Sequence, residues 1–139
     1  MKQANPINIT HIDHVVIRVN NLDNMVAFYQ DVLGCKLERG PGDGRLAQLR
    51  AGLSMIDLVD AQGTIGRHSG DVAARTAPNM DHVSFQIDPW NISAVQEQLQ
   101  LHDVAFGEVG DRYGAGGPGP SIYLKDPEGN TVELKGIAK

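Results

Sequence analysis

Two short, largely apolar segments of this chain share one pattern, each with a histidine near its start. "IDHVVIRV", residues 12–19, and "MDHVSFQI", residues 80–87, each read as a β-strand. After the first, "NNLDNMVAFYQDVLG" places Met25, Phe28, Tyr29, Val32 and Leu33 at i, i+3, i+4, i+7 and i+8, which predicts a helix with one apolar face. Asn21 or Asp23 is its expected N-terminal cap, and Gly34 supplies the left-handed residue that ends it. Three extended stretches follow, "CKLER", "RLAQLRA" and "LSMIDLVD", punctuated by "GPGDG" and "AG".

The second segment opens a matching series. A helix is expected after it, with Asp88 as cap, Pro89 at the first helical position, and Ile92, Val95 and Leu99 facing inward. The stretches "VAFGEVG", "PSIYLKD" and "TVELKG" are its strands, the last two joined by the turn "DPEGN". The chain therefore reads as βαβββ twice: module one at about 10–60, a linker at about 61–78, and module two at about 79–136, within one α+β domain over residues 1–139.

Parity along the strands selects a second set of residues. Val15, Ile17 and Val19 form the helix-packing side of the first strand, leaving Ile12, His14, Val16 and Arg18 opposite. Val83, Phe85 and Ile87 pack in the matching strand, leaving Met80, His82, Ser84 and Gln86. Asp57 lies between Ile56 and Leu58, and Glu133 between Val132 and Leu134. Four strands thus place one potential ligand each on the face away from the helices, paired by the repeat: His14 with His82, and Asp57 with Glu133. Two curved sheets related by a pseudo-twofold are expected to bring the four together. Two imidazoles and two carboxylates suit one divalent ion of Ni, Co, Zn, Mn or Fe, and each histidine then needs an acceptor for its other ring nitrogen.

Composition narrows the partners. At 139 residues, 41% hydrophobic and 21% charged, the chain falls among ordinary soluble domains. A formal net charge of −5 without a Lys/Arg run excludes a nucleic-acid or anionic-membrane partner. The single cysteine, Cys35, fits a reducing cytoplasm, and no segment approaches membrane-spanning length.

"IDHVVIRVNNLDNMVAFYQDVLG", "MIDLVD", "MDHVSFQI" and "SIYLKDPEGNTVEL" together resemble the vicinal oxygen chelate superfamily. That superfamily includes glyoxalase I, fosfomycin-resistance proteins, extradiol dioxygenases and bleomycin-resistance proteins. The resemblance implies paired βαβββ modules forming a cupped, barrel-like mixed sheet with helices outside. It assigns metal-ligand roles to His14, Asp57, His82 and Glu133, and implies a homodimer acting on a small molecule bound to the metal through adjacent oxygens. A glyoxalase-I-like lyase or isomerase is the leading expectation, with Glu133 and Asp57 as catalytic carboxylates and Glu133 taking the substrate proton. Arg18, four residues past His14, occupies the place of an arginine that contacts a glutathione carboxylate, and Arg112 and Tyr113 of "GDRYGAGGPGPS" are further substrate contacts. Asp57 is one methylene shorter than the glutamate of the glyoxalase pattern, and Ala61 stands where that pattern has asparagine. The alternatives are a fosfomycin-type transferase or Fe(II) dioxygenase using His14, His82 and Glu133 alone, and a metal-free drug-binding protein.

Overall fold

A computed structural model describes residues 5–70 and 79–138. Strand β1 (His14–Val19) leads into helix α1 (Leu22–Asp31), followed by β2 (Lys36–Arg39), β3 (Leu46–Ala51) and β4 (Ser54–Asp60). A 3-10 turn over Gly66–Ser69 comes next. The second series is β5 (Val83–Gln86), α2 (Ile92–Leu101), β6 (Gly110–Gly114), β7 (Gly117–Lys125) and β8 (Thr131–Lys135). The strands form two four-stranded sheets of identical order, β1-β4-β3-β2 and β5-β8-β7-β6. In each, the first strand runs parallel to the last and the other pairs are antiparallel. The fold is α+β, and the two sheets do not close into a barrel.

Helix α1 forms where the apolar spacing predicts. The Asn21 side chain accepts from the Asn24 N–H at 3.0 Å, and Gly34, at φ +76°, follows the helix end. Its Leu22, Met25, Phe28 and Tyr29 are buried against Ile17, Val19, Ala47, Leu49, Ile56 and Leu58. Leu99, Ile122, Leu124, Val132 and Leu134 extend the same core into the second series.

Two expected elements move. The cap of α2 is Asn91, whose side chain accepts from the Ala94 N–H at 3.1 Å, so Asp88 and Pro89 lie in the turn before the helix. The stretch "VAFGEVG" supplies an isolated bridge between Phe106 and Leu124, and only its last residue, Gly110, enters a strand. The edge strand lies further on, at Gly110–Gly114, in a tight hairpin with a longer β7. Gly117, at φ +84°, makes that turn accessible. Pro118 and Pro120 lack N–H groups, so they join the sheet through carbonyls that accept from Ala138 and Gly136.

The turn between β7 and β8 binds the two series together. The Asp126 carboxylate accepts from the Glu128 and Asn130 N–H groups at 2.9 and 3.0 Å, and from the buried Tyr29 hydroxyl of α1 at 2.9 Å. Glu128 in turn accepts from the Asn20 and Asn21 N–H groups at 2.8 Å, placing a negative charge at the start of α1. Among the described residues, no helix is long and apolar enough to cross a membrane.

Candidate metal centre

The ladder registers set the site. In the first sheet Asp57 is flanked by Val16 on β1 and Gln48 on β3; in the second, Glu133 is flanked by Ser84 on β5 and Tyr123 on β7. Asp57 with Glu133 and Gln48 with Tyr123 are therefore equivalent positions. Both carboxylates are buried in spite of their charge, with 2% and 5% of their surface exposed. Asp57 Oδ2 accepts from Gln48 Nε2 at 3.3 Å, whereas Oδ1 is inaccessible to solvent and has no hydrogen-bond partner. An ionised oxygen in that position is costly without a cation.

The histidines are more open and are oriented alike. His14 Nδ1 lies 2.7 Å from Asp13 Oδ1, and His82 Nδ1 lies 2.6 Å from Asp81 Oδ1. An acceptor on Nδ1 fixes the tautomer whose Nε2 lone pair is free to bind a metal. In the second sheet Nε2 stands 3.8 Å from Glu133 Oε1. The hydrogen bond to Asp13 holds the His14 pKa above its ordinary value; slight burial opposes this and the Asp57 charge adds to it. The same hydrogen bond lowers the pKa of Asp13. The sequence carries this pairing as the dipeptide "DH" in both "IDHVV" and "MDHVS"; parity reasoning passed over it because neighbouring strand residues point to opposite faces.

Of the four candidates, His82 and Glu133 lie 3.8 Å apart, and the Asp57 charge acts on His14 from the neighbouring strand. Among the described residues, no group of three or more His, Cys, Asp and Glu side chains lies close enough to hold an ion. The fourfold convergence the pseudo-twofold suggests is therefore not found within one chain among the described residues.

The remaining candidates occupy distinct settings. Arg18 donates from Nε to the Gly66 carbonyl at 3.1 Å and from Nη2 to the Gly70 carbonyl, tying the segment after β4 to β1. Arg112 lies on the same face as Glu133. Its guanidinium sits 4.4 Å over the Tyr123 ring, and its Nη1 donates to the Ser121 hydroxyl at 2.7 Å and to the Ser121 carbonyl at 3.0 Å. Tyr123 meets His82 edge to face, with ring centroids 5.5 Å apart. Tyr113, the next residue on β6, points to the other face and is 84% exposed. A cleft of about 560 Å³ opens elsewhere, lined by Val15, Cys35, Ile56, Val83 and Phe85 among others, and none of His14, Asp57, His82 and Glu133 borders it.

Residues 11–134 match the Glyoxalase/Bleomycin resistance protein/Dioxygenase superfamily, and the chain belongs to that family. It is 33% identical over 135 residues to the glyoxalase domain-containing protein RDO1 of Mycosarcoma maydis, covering 96% of this chain and 72% of that one. It is 28% identical over 134 residues to human mitochondrial methylmalonyl-CoA epimerase, covering 92% and 74%. The crystal structure of virulence protein STM3117 from Salmonella typhimurium superposes with a TM-score of 0.77 at 25% identity, over 95% of this chain and all of that one.

Proposed function

We propose that this protein is a divalent-metal-dependent isomerase or lyase of glyoxalase type. It moves a proton at the carbon beside a carbonyl of a small substrate held through adjacent oxygens. The observation that carries the reading is the duplicated half-site: a histidine fixed at Nδ1 by the preceding aspartate, beside a buried carboxylate one strand away. Kinship with an epimerase and with a glyoxalase-domain protein supports proton transfer as the common chemistry.

The donor set fits a divalent ion of Ni, Co, Zn, Mn or Fe, and the orphaned Asp57 Oδ1 is the kind of atom a cation would satisfy. His14 and Asp57 of one chain would hold it together with His82 and Glu133 of a second copy, so the active species in this reading is a homodimer. When bound, the ion supplies Lewis acidity that stabilises negative charge developing on the substrate oxygens. Glu133 takes the α-proton, its burial removing the water that would otherwise solvate the carboxylate. Asp57 neutralises charge on the opposite side, and Asp13 and Asp81 keep the imidazoles in register. We place the protein in the cytoplasm, where its single thiol stays reduced; burial pushes that Cys35 thiol up to about 11, out of the reactive range.

A second reading rests on Gln48. Its hydrogen bond already engages Asp57 Oδ2, which favours a three-ligand site of His14, His82 and Glu133, as a transferase or dioxygenase would use. Elemental analysis and metal titration of the wild type and Asp57→Ala, beside hydrogen exchange at the α-carbon of a hemithioacetal, decide between them. About one ion per chain, weakened in Asp57→Ala, with α-proton exchange in the wild type is the expected result. Metal retained in Asp57→Ala with no exchange in the wild type selects the three-ligand reading, and a wild type that ignores all five metals defeats both.

A further inference from the structure

The inner face of the second sheet carries an imbalance of charge that the metal site does not use. By register, the side chains sharing the face of Glu133 include Ser84 and Gln86 on β5, Ser121, Tyr123 and Lys125 on β7, Arg112 on β6, and Lys135 on β8. Three are cations, and Glu133 is the one carboxylate. Lys125 sits at the outer end, exposed, donating to the Thr131 hydroxyl at 2.8 Å. The other two are held further in.

Lys135 is 5% exposed, and its ammonium donates to the Gly117 and Gly136 carbonyls at 2.8 and 3.0 Å. No carboxylate among the described residues pairs with it. The side chain runs beneath the β6–β7 hairpin, where a Cβ on Gly114 would come within 3.3 Å of its Cδ and Cε. Arg112, half-buried, spends Nη1 on Ser121 and stacks on Tyr123, but it too has no carboxylate partner among the described residues, and its Nε and Nη2 donate to none of them. Its fork is held beside Tyr123, which touches His82. Guanidinium groups buried this far are usually matched by an anion, because their donors form a rigid fork shaped for one.

We propose that this face binds an oxyanion on the substrate, a carboxylate or a phosphate-type group, at Arg112. Lys135 stands behind it as a fixed positive charge, and the Tyr123 ring separates the anion from the histidine–carboxylate pair. This deepens the reading of the site given above and rests on it: the substrate class becomes an acid whose anionic end lies on the β6 side of the metal-bound oxygens.

The test uses metal-free full-length protein, in the presence of a chelator, titrated separately with inorganic phosphate and with acetate and followed by the Arg112 Nε–H resonance. Saturable shifts of that signal are expected, and Arg112→Gln should weaken anion binding by about tenfold to a hundredfold, the range for one charge-assisted pair. Arg112→Lys should retain part of it, and Arg50→Gln on the other sheet should change nothing. The tighter of the two anions tells a phosphate-type substrate from a carboxylate. No saturable shift with either anion, or equal affinity in the wild type and Arg112→Gln, overturns the inference. Since no metal takes part, a protein that binds metal but neither anion loses this proposal alone, and one that binds the anions but no metal loses only the catalytic reading.

Discussion

The two sheets share strand order, register and the placement of a histidine and a carboxylate, yet they differ in what surrounds that pair. On the first face Arg50 is matched by Glu38, with Nε 2.8 Å from Oε1, and the ligand carboxylate is contacted by an amide, Gln48. On the second face Arg112 and Lys135 have no acidic partner among the described residues, and an aromatic ring, Tyr123, stands in the place of Gln48. In the function proposed above, a metal asks the same geometry of each side, which accounts for a histidine and a buried carboxylate in both sheets. The same proposal has a substrate meet the two sides differently, in keeping with the different neighbours of the two pairs. A duplicated backbone thus separates a symmetric demand from an asymmetric one.

If the halves are equivalent toward the metal, His14→Ala and His82→Ala should cost similar, large amounts of affinity, beyond the roughly 10- to 100-fold typical of groups that only orient a ligand. Isothermal titration with Zn or Ni checks this, and a large inequality between the two would break the symmetry. Asp13→Ala and Asp81→Ala come next: each removes the acceptor at Nδ1 and should lower affinity by about 10- to 100-fold. Tyr29→Phe probes the join between the halves. It removes the hydroxyl bonded to buried Asp126 and should cost about 1–3 kcal/mol in urea unfolding. The smallest effect is a pH dependence that comes from His14. His14 has a raised pKa in the folded metal-free protein, so the stabilising contribution of its bond to Asp13 is fully present below the unfolded value near 6.5 and is lost as pH rises through the folded value. Unfolding midpoints of metal-free protein should fall slightly across that window, and Asp13→Asn should flatten the fall.

Much of this was legible in the sequence for a plain reason. Period-two alternation fixes which residues share a strand face, so the side of the sheet occupied by His14, Asp57, His82 and Glu133 followed from position alone. Helix α1 was legible because Asn21, the apolar stripe and Gly34 agree. Elsewhere the local signals conflicted. Asp88–Pro89 imitates a helix start that Asn91 makes, and the apolar residues of "VAFGEVG" imitate an edge strand that forms further along, where Gly117 permits the hairpin. That the four side chains do not form one cluster within a chain was beyond reach, because periodicity describes faces and carries no information on how two sheets sit against each other. Lys135 escaped notice for a related reason: an apolar-flanked lysine at a strand's end reads as solvent-facing until the hairpin that covers it is known.

The turn at Asp126–Asn130 has a consequence for ancestry. Glu128 and Asp126 belong to the last hairpin, yet their partners Asn20, Asn21 and Tyr29 lie 97 to 108 positions earlier. The helix of the first repeat therefore begins on groups that the second repeat supplies. A solitary βαβββ half would start its helix without the Glu128 carboxylate and with one buried phenol unanswered. Two identical halves could each offer the other such a turn, so a single half would meet these needs by associating with a second copy.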